Sequence, residues 1–66
     1  MALRVETRPY VISHGKEPRG WGLWMFRLRR GIRAEEYGFT GNYAVARREA
    51  LKFARRFSYD TVEVLP

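Results

Sequence analysis

Between Gly20 and Arg33 the chain writes an aromatic, arginine-loaded β-hairpin, in the order Gly20-Trp21-Gly22-Leu23-Trp24-Met25-Phe26-Arg27-Leu28-Arg29-Arg30-Gly31-Ile32-Arg33. In a β-strand successive side chains point to opposite faces. Trp24, Phe26 and Leu28 therefore share one face, and Trp21, Leu23, Met25, Arg27 and Arg29 share the other. The first face is fit for a core. The second is sticky and cationic. Arg30-Gly31 marks a tight reversal, so a strand from about Trp21 to Arg29 is expected to pair with a third strand over about Ile32 to Phe39, where Gly38 permits a bend or a close backbone approach.

Further elements follow from the same patterns. Leu3-Arg4-Val5-Glu6-Thr7-Arg8 alternates apolar with charged residues and reads as a half-buried first strand. Pro9 then limits its pairing to an edge or a bulge, and Tyr10-Val11-Ile12 extends it. Ser13 to Gly20 holds two Gly, one Pro and three charged residues and reads as a loop. Thr40 and Asn42 are both possible N-caps for a helix over Tyr43 to Phe57. On that helix Tyr43, Ala46, Ala50, Phe53, Ala54 and Phe57 gather on one side, and Arg48, Lys52, Arg55 and Arg56 on the other. Arg47 falls inside the apolar arc, where an unpaired guanidinium is costly, so it is expected to snorkel to water or to pair with Glu35 or Glu36. Tyr59 to Leu65 alternates again as a last strand. The expectation is one α+β domain over 1–66, with four antiparallel strands and one helix packed on one face, in the order β-β-β-α-β.

A chain of 66 residues makes one domain at most and buries only about 60% of the surface that its unfolded form exposes. Its 45% apolar and 15% aromatic content argues for a folded core despite the charge. The absence of cysteine excludes disulfides, thiolate nucleophiles and Cys-based zinc sites, and the single His14 cannot build a metal site alone. The longest apolar run, Leu23 to Phe26, falls far short of the roughly 20 residues that a membrane span needs, and the start of the chain lacks the apolar stretch of a signal peptide. A soluble, cytoplasmic protein with no membrane partner is expected. Catalysis is not expected, nor is a cofactor. Glu35 and Glu36 are adjacent on a strand and point to opposite faces, His14 has no nucleophile pattern beside it, and Gly20-Trp21-Gly22 lacks the third glycine and the helix of a dinucleotide-binding loop.

Charge carries the functional reading. The formal net charge is +6, and Lys16 to Arg33 alone holds six Lys/Arg against Glu17. Arginines and aromatic rings on an open sheet face supply fork charges for phosphates and guanine edges, and flat surfaces for stacking. A single helix covers only one sheet face, which leaves the other for solvent or a partner. Three strands, the second carrying Trp24-Met25-Phe26-Arg27 and the third ending Tyr37-Gly38-Phe39, followed by a helix with Ala46, Ala50 and Ala54 facing inward, resemble the three-stranded-sheet DNA-binding domains of the AP2/ERF type and the arm-binding domains of tyrosine integrases. That resemblance covers about Gly20 to Arg56. It implies a sheet lying in the major groove, braced from behind by the helix, with contacts from Arg19, Trp21, Arg27, Arg29 and Arg33. A second similarity is to the strand-strand-strand-helix half of double-stranded-RNA-binding domains, with Arg47-Arg48 as the basic cluster and that family's first helix missing. The expected partner is nucleic acid, duplex DNA ahead of RNA. The alternative is a protein-interaction module docking on an acidic protein, for which an exposed Trp21/Leu23/Met25 patch is equally suited.

Overall fold

A computed structural model describes residues 3–66. In chain order it contains β1 (Arg4–Glu6), α1 (Arg8–His14), β2 (Trp21–Arg30), β3 (Arg33–Asn42), α2 (Tyr43–Arg56) and β4 (Thr61–Val64). The strands form one sheet in the spatial order β1-β4-β2-β3. β2 pairs antiparallel with both β3 and β4, whereas β1 and β4 are parallel. The α+β class holds, but the sheet is mixed and there are two helices, so the order is β-α-β-β-α-β.

The departure from the expected all-antiparallel, one-helix arrangement begins at Pro9. A proline terminates or weakens a strand, but it is equally at home in the first turn of a helix, where its missing N–H has no intrahelical partner. The chain takes the second course. Arg8-Pro9-Tyr10 starts α1 without a side-chain cap from Thr7, and Gly15 ends it in the left-handed conformation (φ 72°), its N–H donating to Val11 O at 2.7 Å. Tyr10, Val11 and Ile12 are therefore helical, and the first strand keeps only three residues. β1 lies beyond β4 and runs in the same direction, with Val5 opposite Val62.

The hairpin is the backbone of the sheet. β2 and β3 pair without a break from Trp21↔Asn42 to Arg30↔Arg33, joined by the two-residue turn Gly31-Ile32. Gly31 has φ 59°, the positive value that a two-residue hairpin turn with glycine at its first central position requires. β3 runs on to Asn42, whose side-chain oxygen accepts the Ala44 N–H at 2.9 Å, so the last strand residue is also the N-cap of α2.

α2 packs on the sheet through Ala46, Ala50 and Ala54, all fully buried, against Phe26 and Leu28 of β2 and Val62 and Val64 of β4. The alanines let the helix approach closely, and the sheet supplies the volume. Full burial of each of those larger side chains contributes about 1.5–3 kcal/mol. α1 lies on the same face: Tyr10 packs 5.4 Å from the Trp24 ring, which Tyr43 of α2 meets edge-on at 4.9 Å. Trp24 is 6% exposed, and its indole N–H is shared between the carbonyls of Gly41 (3.0 Å) and Gly20 (3.2 Å). At Gly41 a Cβ would lie 2.8 Å from the Phe39 ring, so the residue that accepts this bond must be glycine.

The end of α2 is closed by a doubly bonded cap. Tyr59 N–H donates to Ala54 O at 2.9 Å and Ser58 N–H to Arg55 O at 3.3 Å, the six-to-one and five-to-two pattern of a Schellman motif. Its left-handed position, normally glycine, is Ser58 at φ 62°. Two arginines of the hairpin complete the closure: Arg30 donates to Ser58 O at 3.0 Å and Arg33 to Phe57 O at 3.1 Å. Arg33 also lies 4.6 Å over the ring of buried Tyr59, whose hydroxyl donates to Glu35 at 2.9 Å.

Two stability predictions follow from this packing. Trp24→Ala should lose about 3–5 kcal/mol, enough to unfold a domain this small, while Trp21→Ala should change stability by less than about 0.5 kcal/mol in thermal melts. The reverse order would mean that the faces of β2 are exchanged. Ser58→Gly should raise stability by about 0.5–1 kcal/mol, because relief of the left-handed strain outweighs the added freedom of the unfolded chain. A fall in melting temperature would show that the serine side chain contributes to the cap.

Candidate nucleic-acid interface

Among the described residues, both helices lie on the Trp24 face, which leaves the other face of the sheet open. The alternation places Trp21, Leu23, Met25, Arg27 and Arg29 of β2 there, beside Thr40, Gly38, Glu36 and Ala34 of β3, Thr61 and Glu63 of β4, and Arg4 and Glu6 of β1. The side chains separate along this face. At one end Trp21 and Leu23 are 78% and 68% exposed, with Met25 lying against the bare backbone of Gly38. Toward the other end every arginine has an acid beside it. Arg27 is 3.6 Å from Glu36, Arg29 is 3.3 Å from Glu63, and Arg4 is 2.8 Å from Glu6. Three cations thus face three carboxylates, and the arginine-rich face carries little net charge.

The net charge therefore resides elsewhere. The three ion pairs take up three of the thirteen basic and three of the seven acidic residues, leaving ten and four, and these account for the entire +6. Arg47, Arg48, Lys52, Arg55 and Arg56 of α2 are all exposed, with Glu49 their one acidic neighbour on that helix. Arg48, Lys52, Arg55 and Arg56 form the outer arc, and Arg30 and Arg33 extend it at the hairpin end beside the exposed Ile32 and Phe57. Arg47 takes the first of the two courses open to it, snorkelling rather than pairing. It is exposed, while Glu36 goes to Arg27 and Glu35 accepts from Tyr59. The reason is geometric: the helix buries a narrow alanine stripe, and the position of Arg47 at its margin reaches water.

The five residues expected to contact nucleic acid are spread over three places. Arg27 and Arg29 lie in the paired middle of the open face. Arg33 is on the helix side at the hairpin end. Arg19 and Trp21 come together at the opposite end, where they line a groove of about 370 Å³ with Tyr10, His14, Lys16, Leu23 and the chain's last residues. Sequence reasoning missed Tyr10 and His14 as groove residues because it placed Tyr10 in a strand. Pro9 just inside a helix start and Gly15 just past its end are the signals that could have found α1.

Tyr43 is the first residue of α2, within electrostatic reach of Arg47 on the same helix and of Glu17 in the loop before β2. Burial, the larger effect, raises its phenol above the usual value of 10; the Arg47 charge partly offsets this and Glu17 adds to it. No group of three or more His, Cys, Asp or Glu among the described residues could hold a metal ion, and no described helix is long and apolar enough to cross a membrane. Comparison of the chain with protein-family models, with curated proteins and with solved structures matched none of them.

The Tyr43 shift sets an alkaline signature. Because the folded state holds the phenolic proton more tightly than the unfolded chain, its contribution is intact below pH 10 and is lost as the pH rises through the raised folded value. The stability difference between wild type and Tyr43→Phe should stay constant from pH 7 to 9. Above pH 10 it should move in favour of the variant. A difference that stays constant up to pH 11 would refute the shift.

Proposed function

We propose that this chain is a small nucleic-acid-binding protein, with duplex DNA the first candidate partner, and that backbone phosphates are met chiefly by the outer face of α2. The observation that carries this reading is the charge partition. The sheet arginines are matched by glutamates, while Arg48, Lys52, Arg55 and Arg56 form an exposed cationic surface with Glu49 as the one acid on their helix, continued by half-buried Arg30 and by exposed Arg33, which shares its strand face with Glu35. Arg48, Lys52 and Arg55 span about 10 Å of helix on a rigid element, and a duplex presents about one negative charge per 1.7 Å of axis, the densest target for such a row. Arg30 and Arg33 each spend one N–H on a helix-end carbonyl and keep others for phosphate. Arg27 and Arg29 contribute only as far as a polyanion competes with Glu36 and Glu63 for them.

A second reading, a protein-interaction module, is favoured by one specific observation: Trp21 and Leu23 stand side by side on the sheet and are mostly exposed. Large apolar residues of this kind are typical anchors of protein interfaces.

Salt dependence separates the two. For duplex DNA, log affinity should fall with log salt, and each of Arg48→Ala, Lys52→Ala and Arg55→Ala should flatten the slope by about 0.9 for a lost phosphate contact. Glu36→Gln and Glu63→Gln uncover charge on the sheet and should leave that slope unchanged if the helix face is the contact. A steeper slope in those two variants would transfer the contact to Arg27 and Arg29. Binding that vanishes at physiological salt and ignores all five substitutions would leave the protein-interaction module as the better account.

A further inference from the structure

We infer that the groove between α1 and the first half of β2 is a binding site for a single unstacked nucleotide, held as part of a single-stranded segment. This inference rests on the nucleic-acid reading and adds to it a second site, at the opposite end of the molecule from the Arg30/Arg33 cluster, with a different ligand.

The site exists because β4 is shorter than β2. β4 pairs with β2 only from Phe26 to Arg29, and the last ladder contact on that side is Leu65 N–H to Met25 O at 2.9 Å. Gly20 O accepts from Tyr43 on the β3 side, and Met25 and Arg29 accept on the β4 side, so the backbone groups of odd-numbered β2 residues turn toward β4. The N–H and C=O of Trp21 and Leu23 thus open into the groove, where β4 has already ended. They supply fixed donors and acceptors of the kind that can read a base edge.

The walls supply the rest. On one side Tyr10 and the exposed His14 stack face to face at 4.1 Å and 16°, one turn apart on α1, and line the wall. On the other stands Trp21, 78% exposed. Lys16 and Arg19 lie along the groove, and no side-chain carboxylate lines it, whereas two smaller cavities of about 260 and 230 Å³ contain Glu49, and Glu6 with Glu63, respectively. Flat rings beside two cations with no opposing side-chain carboxylate match a nucleobase with its phosphate. The same surface is poorly matched to an added peptide strand, because the free edge offers the groups of only Trp21 and Leu23. A base pair inside a duplex cannot present its face to a ring, which is why the ligand is an unpaired nucleotide.

The test is a titration of ¹⁵N-labelled protein with a tetranucleotide, with a nucleoside monophosphate, with a hairpin duplex and with hexaglutamate, following the two indole N–H resonances. The Trp24 indole is bonded inside the fold and serves as the internal control. The tetranucleotide should shift the Trp21 indole and the Tyr10, His14 and Leu23 amides, and the monophosphate should shift the same signals more weakly. Trp21→Ala should weaken tetranucleotide binding by about 5- to 150-fold, the range of one lost stacking contact. Arg19→Ala should flatten its salt slope by about 0.7. The triple Arg48/Lys52/Arg55→Ala variant should bind the tetranucleotide nearly as wild type while losing the duplex. Tetranucleotide binding that is indifferent to Trp21→Ala, with duplex binding intact, overturns the groove assignment and leaves the nucleic-acid reading standing. Shifts at Trp21 as large with hexaglutamate as with the tetranucleotide overturn it in favour of an acidic peptide. Failure of all three nucleic-acid ligands overturns both readings together.

Discussion

The Trp24 indole is the joint on which the molecule turns. Its N–H is divided between Gly20, at the entry to the hairpin, and Gly41, at its exit, while its ring is flanked by Tyr10 of α1 and Tyr43 of α2. One side chain therefore registers the two ends of the hairpin against each other and seats both helices on the same face. A buried indole requires a hydrogen-bond acceptor. Here that need fixes backbone geometry: the Gly41 carbonyl is available only because no side chain there collides with Phe39. The small core inherits its alignment from this contact.

With both helices on one face, the other face had either to be hydrophobic and covered or polar and self-satisfied. The chain divides the difference along its length. Where β4 flanks β2, cross-strand Glu and Arg neutralise each other; where β4 is absent, aromatic and aliphatic groups stand free. Exposed ion pairs of this kind contribute little to stability, about 0–1 kcal/mol each. Their larger effect is on the electrostatic field: they cancel the sheet's charge and leave the helix side to dominate what an approaching polyanion meets.

Much of this was legible from residue order. The side-chain alternation of a strand over Trp21 to Arg29 gave the faces of β2 correctly, Gly31 marked the turn, and the alanine spacing identified the buried stripe of α2, because each of these is a local signal. α1 was misread because Pro9 is compatible with both a strand edge and a helix start, and the choice is made by the tertiary seat that Tyr10 finds on Trp24. The parallel β1–β4 pairing followed from that choice. The neutralisation of Arg27 and Arg29 could not be read at all, since Glu36 and Glu63 reach them only through the registers of two different strand pairs. For Arg47 the helical angle left snorkelling and pairing both open, and the choice of water followed from a fully buried stripe of alanines too narrow to cover its position.

One property of α1 bears on how the molecule behaves. None of its residues is fully buried, and it follows a strand of three residues bonded to a single neighbour. Such a segment has little area to hold it down and opens at lower free energy than the hairpin and α2. Yet Tyr10 and His14 form one wall of the groove. Anything lodged between that wall and Trp21 clamps the segment against the sheet, so occupancy of the groove and the order of the whole β1–α1 edge are one coupled equilibrium.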